Sequence, residues 1–401
     1  MSHVASRELS AGRSYSVTAM ALVSDKAGNG MRSTFPSVLE ELIQSWDGEE
    51  VVARYDQPSG TWIFACIHST RLGPAGGGTR MKSYATPADA LQDAMRLSAA
   101  MTLKMAAVDL PLGGAKAVLA VPGPIEGEGR RRLLLEYASL VASLGGNFQT
   151  GPDVNTSPAD MDVIAERCPY VVCRSAETGG AGDPGPHTAR GVFHGIRATL
   201  KQTFGSDDPS GRRILVQGLG DVGGQLVDQL AAAGARLLVS DLDSERVRRI
   251  TERYPAQVVP PGEVIGTECD LFAPCALGGI LNATTVPRLR CRAVAGSANN
   301  QLIESEDGDR LQQAGIIYAP DFVINAGGVL YAWGTESLGW SHETIEARLS
   351  GIGDTLTEIY LRSASEGIST AAAAIELATA RLQAATTVAQ QVSNSPQALS
   401  R

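Results

Sequence analysis

The sequence predicts an α/β protein of two domains, the first built on a mixed sheet and the second on a doubly wound parallel sheet, with a cleft between them. Three observations predict it. The chain has 401 residues, 43% of them apolar, too long for one ordinary core and rich enough for two. From Arg213 to about Val323 short β-like runs alternate with helical ones, the order that builds a parallel sheet. The run Gly179-Gly-Ala-Gly-Asp-Pro-Gly-Pro186 interrupts the chain with residues that punctuate structure and marks a hinge or boundary.

Each element follows from local pattern. Residues 1–33 mix Ser, Gly, Arg and Ala without periodicity, lack the apolar segment of a signal peptide, and read as a flexible extension, with Met20 and Met31 as alternative starts. Helical spacing covers 36–46. Glu50–Asp56 and Thr61–Ile67 flank Gln57-Pro-Ser-Gly60 and predict a β-hairpin. Pro87–Met105 is an amphipathic helix, Pro111–Leu119 a glycine turn entering a strand, and Glu128–Leu144 and Ser157–Cys168 further helices. These make a first domain at 34–185. The second, 186–342, takes its strands from Arg213–Gln217, Ala235–Ser240, Leu271–Ala273, Arg292–Ala295 and Ile316–Tyr318. Helices at Glu343–Ser363 and Thr370–Gln390 are expected to return to the first domain, and 391–401 is a polar tail expected to be disordered.

Composition excludes several functions. A net charge of −9 without clustered Lys and Arg argues against a nucleic-acid partner. No apolar run approaches the ~20 residues of a membrane helix. Six cysteines without a Cys-x-x-Cys pair suit a reducing cytoplasm, and five scattered histidines give no metal site.

Ile214-Leu-Val-Gln-Gly218-Leu-Gly220-Asp221-Val222-Gly223 reads as a strand entering a glycine turn and a helix, the layout of a Rossmann-type dinucleotide site. Gly218 makes the tight turn, Gly220 admits a pyrophosphate, and Gly223 permits close packing of helix on strand. Asp241 ends the next strand, placed to take both ribose hydroxyls and to repel a 2′-phosphate. The expected cofactor is therefore NAD, with Asp243 in support and Arg246 as a nearby cation that favours NADP.

Lys104 stands among Met101, Leu103 and Met105, and Lys116 follows Gly113-Gly-Ala115. A buried ammonium wants an anion, which a substrate carboxylate supplies, and a desolvated lysine beside another cation has a lowered pKa suited to a general base. Spacing alone equally allows two solvated surface lysines. Asp153 is either an acid of the same site or a cap for the helix that follows, with Asp160 and Asp162 as alternative acids there.

Motif context separates these readings. Leu72-Gly-Pro-Ala-Gly76-Gly77-Gly78-Thr-Arg-Met81, Met101-Thr-Leu-Lys104, Gly113-Gly-Ala-Lys116, Thr150-Gly151-Pro152-Asp153-Val-Asn155, Ala273-Pro-Cys-Ala276-Leu-Gly-Gly279, Ala295-Gly-Ser-Ala298-Asn299-Asn300 and Tyr318-Ala-Pro-Asp-Phe-Val-Ile-Asn325-Ala-Gly-Gly328 occur in that order. Over roughly residues 50–365 the chain resembles the glutamate/leucine/phenylalanine/valine dehydrogenase family. The resemblance implies that Lys104 holds the substrate carboxylate, Lys116 is the base and Asp153 shuttles protons. It also implies that the backbone at Gly77 and Gly78, with Asn299 or Asn300 and with Asn325, positions substrate and nicotinamide, that Thr188 meets the carboxamide, and that Ala276 and Ala298 line the cofactor site. Ala115 departs from the family's third glycine; its methyl group is expected to be tolerated, a slight shift of Lys116 being the alternative. The implied reaction is reversible oxidative deamination with NAD, the partners an amino acid, its 2-oxo acid and ammonium, and the assembly a homo-oligomer.

Members acting on glutamate carry lysine where this chain has Gly76, so glutamate is not expected. Leucine members carry bulky aliphatic residues at Gly76 and Ala332 and alanine at Gly151. The smaller residues here imply room for an aromatic ring in a pocket with Met101, Pro152 and Val329, the last larger than the expected alanine. The expected substrate is L-phenylalanine, with tryptophan, tyrosine or a branched-chain amino acid (leucine, valine) as alternatives. A non-catalytic NAD-binding sensor is the alternative from another class. A 2-hydroxy acid dehydrogenase would need a histidine, acid and arginine arrangement that the sequence lacks.

Overall fold

The chain is described here from a computed structural model covering residues 42–393; the expectations for 1–33 and for the tail beyond Ser393 lie outside the described residues. Strands β1 (Glu50–Asp56) and β2 (Thr61–Ser69) form the expected antiparallel hairpin, with Glu50 opposite Ile67. β3 (Ala75–Lys82), β4 (Gly113–Ala120) and β5 (Phe148–Pro152) complete a mixed sheet in the order β1-β2-β4-β3-β5, its last three strands parallel.

Helix α1 (Pro87–Ala107) begins at a capping box between Thr86 and Asp89, with proline at its start. It covers one face of the sheet, laying Ala90, Leu91, Ala94 and Met95 on Phe64, Cys66 and Val118. α2 (Gly127–Ser143) and α3 (Pro158–Ala165) cover the other, where Leu133, Tyr137 and Val141 meet Ala65, Ala115, Ala117 and Leu119. Ser157 and Asp160 form the capping box of α3, so Asp153 is not its cap.

Helix α4 (Gly185–Phe204) leads into the second domain. There β6 (Arg213–Gln217), α5 (Asp221–Ala232), β7 (Arg236–Ser240), α6 (Ser244–Arg253), β8 (Ala256–Val258), β9 (Leu271–Pro274), β10 (Ala293–Val294), α7 (Glu306–Gln313) and β11 (Ile317–Tyr318) follow. The sheet is wholly parallel in the order β11-β10-β9-β6-β7-β8, so the chain winds outward in both directions from β6, the doubly wound arrangement expected. β3, β5 and β8 were not anticipated from pattern. The chain closes with α8 (Asp321–Ile324), α9 (Gly327–Glu336), α10 (His342–Glu366) and α11 (Thr370–Ser393).

Of the two helices expected to return to the first domain, α11 does so. It lies on α1, and Arg381 donates to the carbonyl of Ala107 at 2.6 Å. α10 instead packs chiefly on α4, because Ile352 and Leu356 fill space opened by Gly191 and Gly195. α11 also stays helical to Ser393, into the segment expected as tail. One apolar core runs from Met105 at the end of α1 through Val172 and the face of the second sheet to Leu330 and Trp333, so the two domains share packing. No helix among the described residues is long and apolar enough to cross a membrane.

Candidate active site

Strand alternation builds the floor of the site. Gly76 stands opposite Gly114, Thr79 opposite Ala117, and Gly78 opposite Gly151, so Gly76, Gly78, Gly114, Lys116 and Gly151 share the face turned toward α1. Ala115 falls on the opposite face, fully buried beneath α2, and its methyl group points away from Lys116. The methyl group is therefore accommodated away from the lysine.

Lys116 is 5% exposed, with Nζ 3.1 Å from Oδ2 of Asp153. Arg80 donates to the same oxygen at 2.8 Å through Nε and to Asp93 at 2.9 Å through Nη1. Burial lowers the Lys116 pKa, the charge on Arg80 lowers it further, and Asp153 partly offsets both. Burial alone would raise the Asp153 carboxyl, yet Lys116 and Arg80 overcome it and bring its pKa down to about 2. The acid is thus ionised throughout the working range.

Lys104 reaches out of α1 across the cleft, its Nζ 3.5 Å from Oδ1 of Asn299. Burial brings its amine down to about 8, against the opposing pull of Asp321 and with a push from Lys116. Asp321 accepts from the backbone N–H of Gln301 and Phe322 at 2.9 and 2.8 Å, and burial raises its own pKa. Asn325 donates to Asn299 Oδ1 at 2.8 Å and to the Ser297 carbonyl at 3.1 Å. Its Oδ1 is buried without a partner among the described residues and stays available to accept from a ligand.

Both lysines, Asp153, Asn299 and Asn325 thus meet where the domains face each other. Gly77 is forced to be glycine, since a Cβ there would lie 1.8 Å from the Ala115 carbonyl oxygen. Pro152 puts its carbonyl 2.8 Å from the Cβ position of Gly78. Met101, a turn before Lys104, and Val329 are partly buried, and Ala332 is fully buried. Asn300 takes a left-handed φ of 51° and accepts from Gly279 through its carbonyl. Thr188 sits in the first turn of α4, with its hydroxyl 2.6 Å from the Cβ position of Gly328.

The space expected beside Gly76 and Gly151 is not open. A Cβ at Gly76 would lie 3.0 Å from Met105 Cε and from Cε2 and Nε1 of Trp333, and one at Gly151 would lie 3.2 Å from Val172 Cγ2 and 3.5 Å from Trp333 Cη2. The protein's own indole occupies the room that the two glycines were expected to leave for an aromatic substrate. Sequence reasoning missed Trp333, although it directly follows Ala332. It also missed Arg80 and Asp321, which stand inside motifs it quoted.

The glycine turn fits a dinucleotide. Gly218 has φ 92° and lies against Ala276, and a Cβ at Gly223 would fall 1.9 Å from the Gly218 carbonyl oxygen. At Gly220, the N-cap of α5, a Cβ would meet only Arg246 Nη1, at 3.4 Å, leaving a cradle over the helix N-terminus for a pyrophosphate. Asp221 and Val222 open α5, and Ala298 follows β10 with its N–H on the Pro274 carbonyl. Asp241 accepts from the N–H of Leu219 at 2.6 Å and of Asp243 at 2.8 Å, which fixes its charge beside the turn. Arg246 is engaged with Asp243 and Asp241 at 3.4 and 4.0 Å, so its charge is offset where a 2′-phosphate would come. These features suit NAD, which accepts hydride from a substrate carbon when bound.

Comparison with known proteins agrees with this geometry. Residues 59–170 match the Glu/Leu/Phe/Val dehydrogenase dimerisation domain, and 238–390 match the glutamate/leucine/phenylalanine/valine dehydrogenase domain. A leucine dehydrogenase of Bacillus cereus is 43% identical over 85% of this chain and 93% of its own length. A valine dehydrogenase of Streptomyces coelicolor is 43% identical over 86% of this chain and 95% of its own length. The crystal structure of L-tryptophan dehydrogenase from Nostoc punctiforme superposes with a TM-score of 0.76 at 37% identity, covering 87% of this chain and 99% of that one.

Proposed function

Because the chain belongs to the Glu/Leu/Phe/Val dehydrogenase family and is an NAD-dependent amino acid dehydrogenase, we propose that it reversibly deaminates a branched-chain L-amino acid to its 2-oxo acid. In the balanced reaction an L-amino acid, water and NAD⁺ give the 2-oxo acid, ammonium, NADH and a proton. The observation that carries the chemistry is the pairing of two buried amines with one ionised carboxylate at 3.1 Å from Lys116.

In this reading the Lys104 ammonium binds the α-carboxylate, held in place by Asn299 and by the charge of Asp321. Lys116, with its pKa lowered, takes a proton from the water that attacks the imine carbon and returns it to the departing ammonia in the later step. Asp153, fixed by Arg80, keeps Lys116 aimed at the glycine floor and offers Oδ1 to the amino group; its strong ionisation favours this over carrying protons itself. The Asn325 carbonyl oxygen accepts from the substrate's amino group.

A branched-chain substrate is supported by the leucine and valine dehydrogenases among the relatives and by the apolar neighbours of Gly76, Met105 and Trp333, which offer nothing to a γ-carboxylate. The phenylalanine reading rested in part on room beside Gly76 and Gly151, where the indole lies. We further propose a homo-oligomer joined through the first domain, with the edge strand β1 as the contact.

The test follows NADH oxidation by full-length protein with ammonium and a panel of 4-methyl-2-oxopentanoate, 3-methyl-2-oxobutanoate, phenylpyruvate, 4-hydroxyphenylpyruvate and indolepyruvate. The aliphatic acids should turn over best, and Lys116→Ala should lower kcat by roughly 100-fold or more with NADH binding intact, as for loss of a general base. Turnover of none of them would sink the reaction, and aromatic preference would restore the phenylalanine-type reading.

A further inference from the structure

We propose that Trp333 decides which substrate side chains enter, closing the pocket to aromatic rings and leaving room for a short aliphatic one; this rests on the deamination reading above. Gly76 precedes Gly78 by two residues on β3, and Gly151 stands opposite Gly78 on β5. A Cβ at Gly78 would lie 3.3 Å from Lys116 Nζ, so the position facing the reacting amine is flanked by Gly76 along its strand and by Gly151 across from it. A substrate whose Cα is presented to Lys116 must run its side chain along this floor.

The indole spans both glycines, with its five-membered ring over Gly76 and Cη2 toward Gly151. It is 4% exposed and belongs to the same buried cluster as Met105 and Val172, so it cannot swing aside without opening the core. Its Nε1 is buried and finds no hydrogen-bond partner among the described residues, so shape rather than a polar anchor fixes the ring. Bulk at position 76 and the indole are alternative fillings of one volume. With Trp333 in place even a single methyl group at 76 is crowded, at 3.0 Å from the indole, and the wall a substrate meets is the edge of that ring.

The experiment compares kcat/KM for phenylpyruvate and 4-methyl-2-oxopentanoate in full-length wild type, Trp333→Ala, Trp333→Leu and the double variant Gly76→Leu/Trp333→Ala, each checked for folding by thermal melting. Trp333→Ala should raise the phenylpyruvate to 4-methyl-2-oxopentanoate ratio by roughly tenfold or more, the scale on which hydrophobic pockets sort side chains by size. Trp333→Leu, which keeps the core filled, should shift it less in the same direction, and adding Gly76→Leu in the double variant should bring the ratio back toward wild type. A ratio unchanged in folded Trp333→Ala or Trp333→Leu would overturn the assignment while leaving branched-chain deamination standing. A wild type that already prefers phenylpyruvate would overturn it too, and a wild type inactive on every 2-oxo acid would take the reaction down with it.

Discussion

Lys104 and Lys116 carry identical side chains, yet their neighbours set them to different tasks. Lys116 has a carboxylate at 3.1 Å and a guanidinium beyond it, whereas Lys104 has an amide oxygen at 3.5 Å and leaves its charge for a ligand. With its amine brought to about 8, Lys104 binds a carboxylate as the ammonium below that pH and loses the ability above it. The KM for the 2-oxo acid should therefore rise about tenfold for each pH unit above 8, while NADH binding stays level. A KM flat from roughly pH 7 to 10 would remove Lys104 from carboxylate binding. Lys116 and Asp153 stood out because glycine and proline frame them, and Lys104 because it stands among apolar residues, Met101, Leu103 and Met105. Arg80 and Asp321 were not, since their meaning lies in partners far along the chain: Arg80 in Asp93 of α1 and Asp153 after β5, Asp321 in Lys104.

Among the elements, β3 shows why pattern failed where structure did not. Ala75-Gly-Gly-Gly-Thr-Arg-Met-Lys82 has three successive glycines and little strand preference of its own. It is a strand because β4 and β5 pair with it on both sides, and because Thr79 reaches the hydroxyl of Tyr137 below. The hairpin β1–β2 and the turn into α5 were legible because their turn residues and apolar alternation are local. Of the glycines in that turn, Gly223 is required by the protein itself and Gly220 by the ligand it is expected to hold. Gly220→Ala should leave the melting temperature within about 2 °C of wild type, since no backbone atom opposes the new methyl group, and yet raise the KM for NADH by at least roughly tenfold. An unchanged KM would move the pyrophosphate elsewhere.

At the scale of the whole molecule, the cleft is held by a fastening between domains. The segment 173–182 leaves the first domain with Cys173 in a left-handed conformation, and Glu336 at the end of α9 accepts from the N–H groups of Cys173 and Ala181. Arg174 stands 3.5 Å from the same carboxylate, and Tyr331 donates to the Ala181 carbonyl at 3.0 Å. Removing a partner from a buried N–H costs about 1–3 kcal/mol. Glu336→Ala should accordingly lower stability by about 2–4 kcal/mol in denaturant titration and raise KM for the 2-oxo acid, because the helix carrying Val329 and Trp333 loses its tie to the hinge. Wild-type stability and KM would show the fastening to be idle. The two sheets were legible in chain length and alternation, but the core that joins the domains was not, and this tie joins residues more than 150 positions apart and leaves no local trace.

The indole in the side-chain pocket also gives the molecule an optical property. Of the four tryptophans, Trp333 is buried among apolar side chains and its N–H finds no partner among the described residues, and such a ring emits toward the blue. As the proposed wall of the substrate pocket it would be approached by a nicotinamide, which absorbs near that emission. Occupancy of the pocket and arrival of reduced cofactor are thereby written into the protein's intrinsic light, one as a change in the indole's colour and the other as a loss of its brightness.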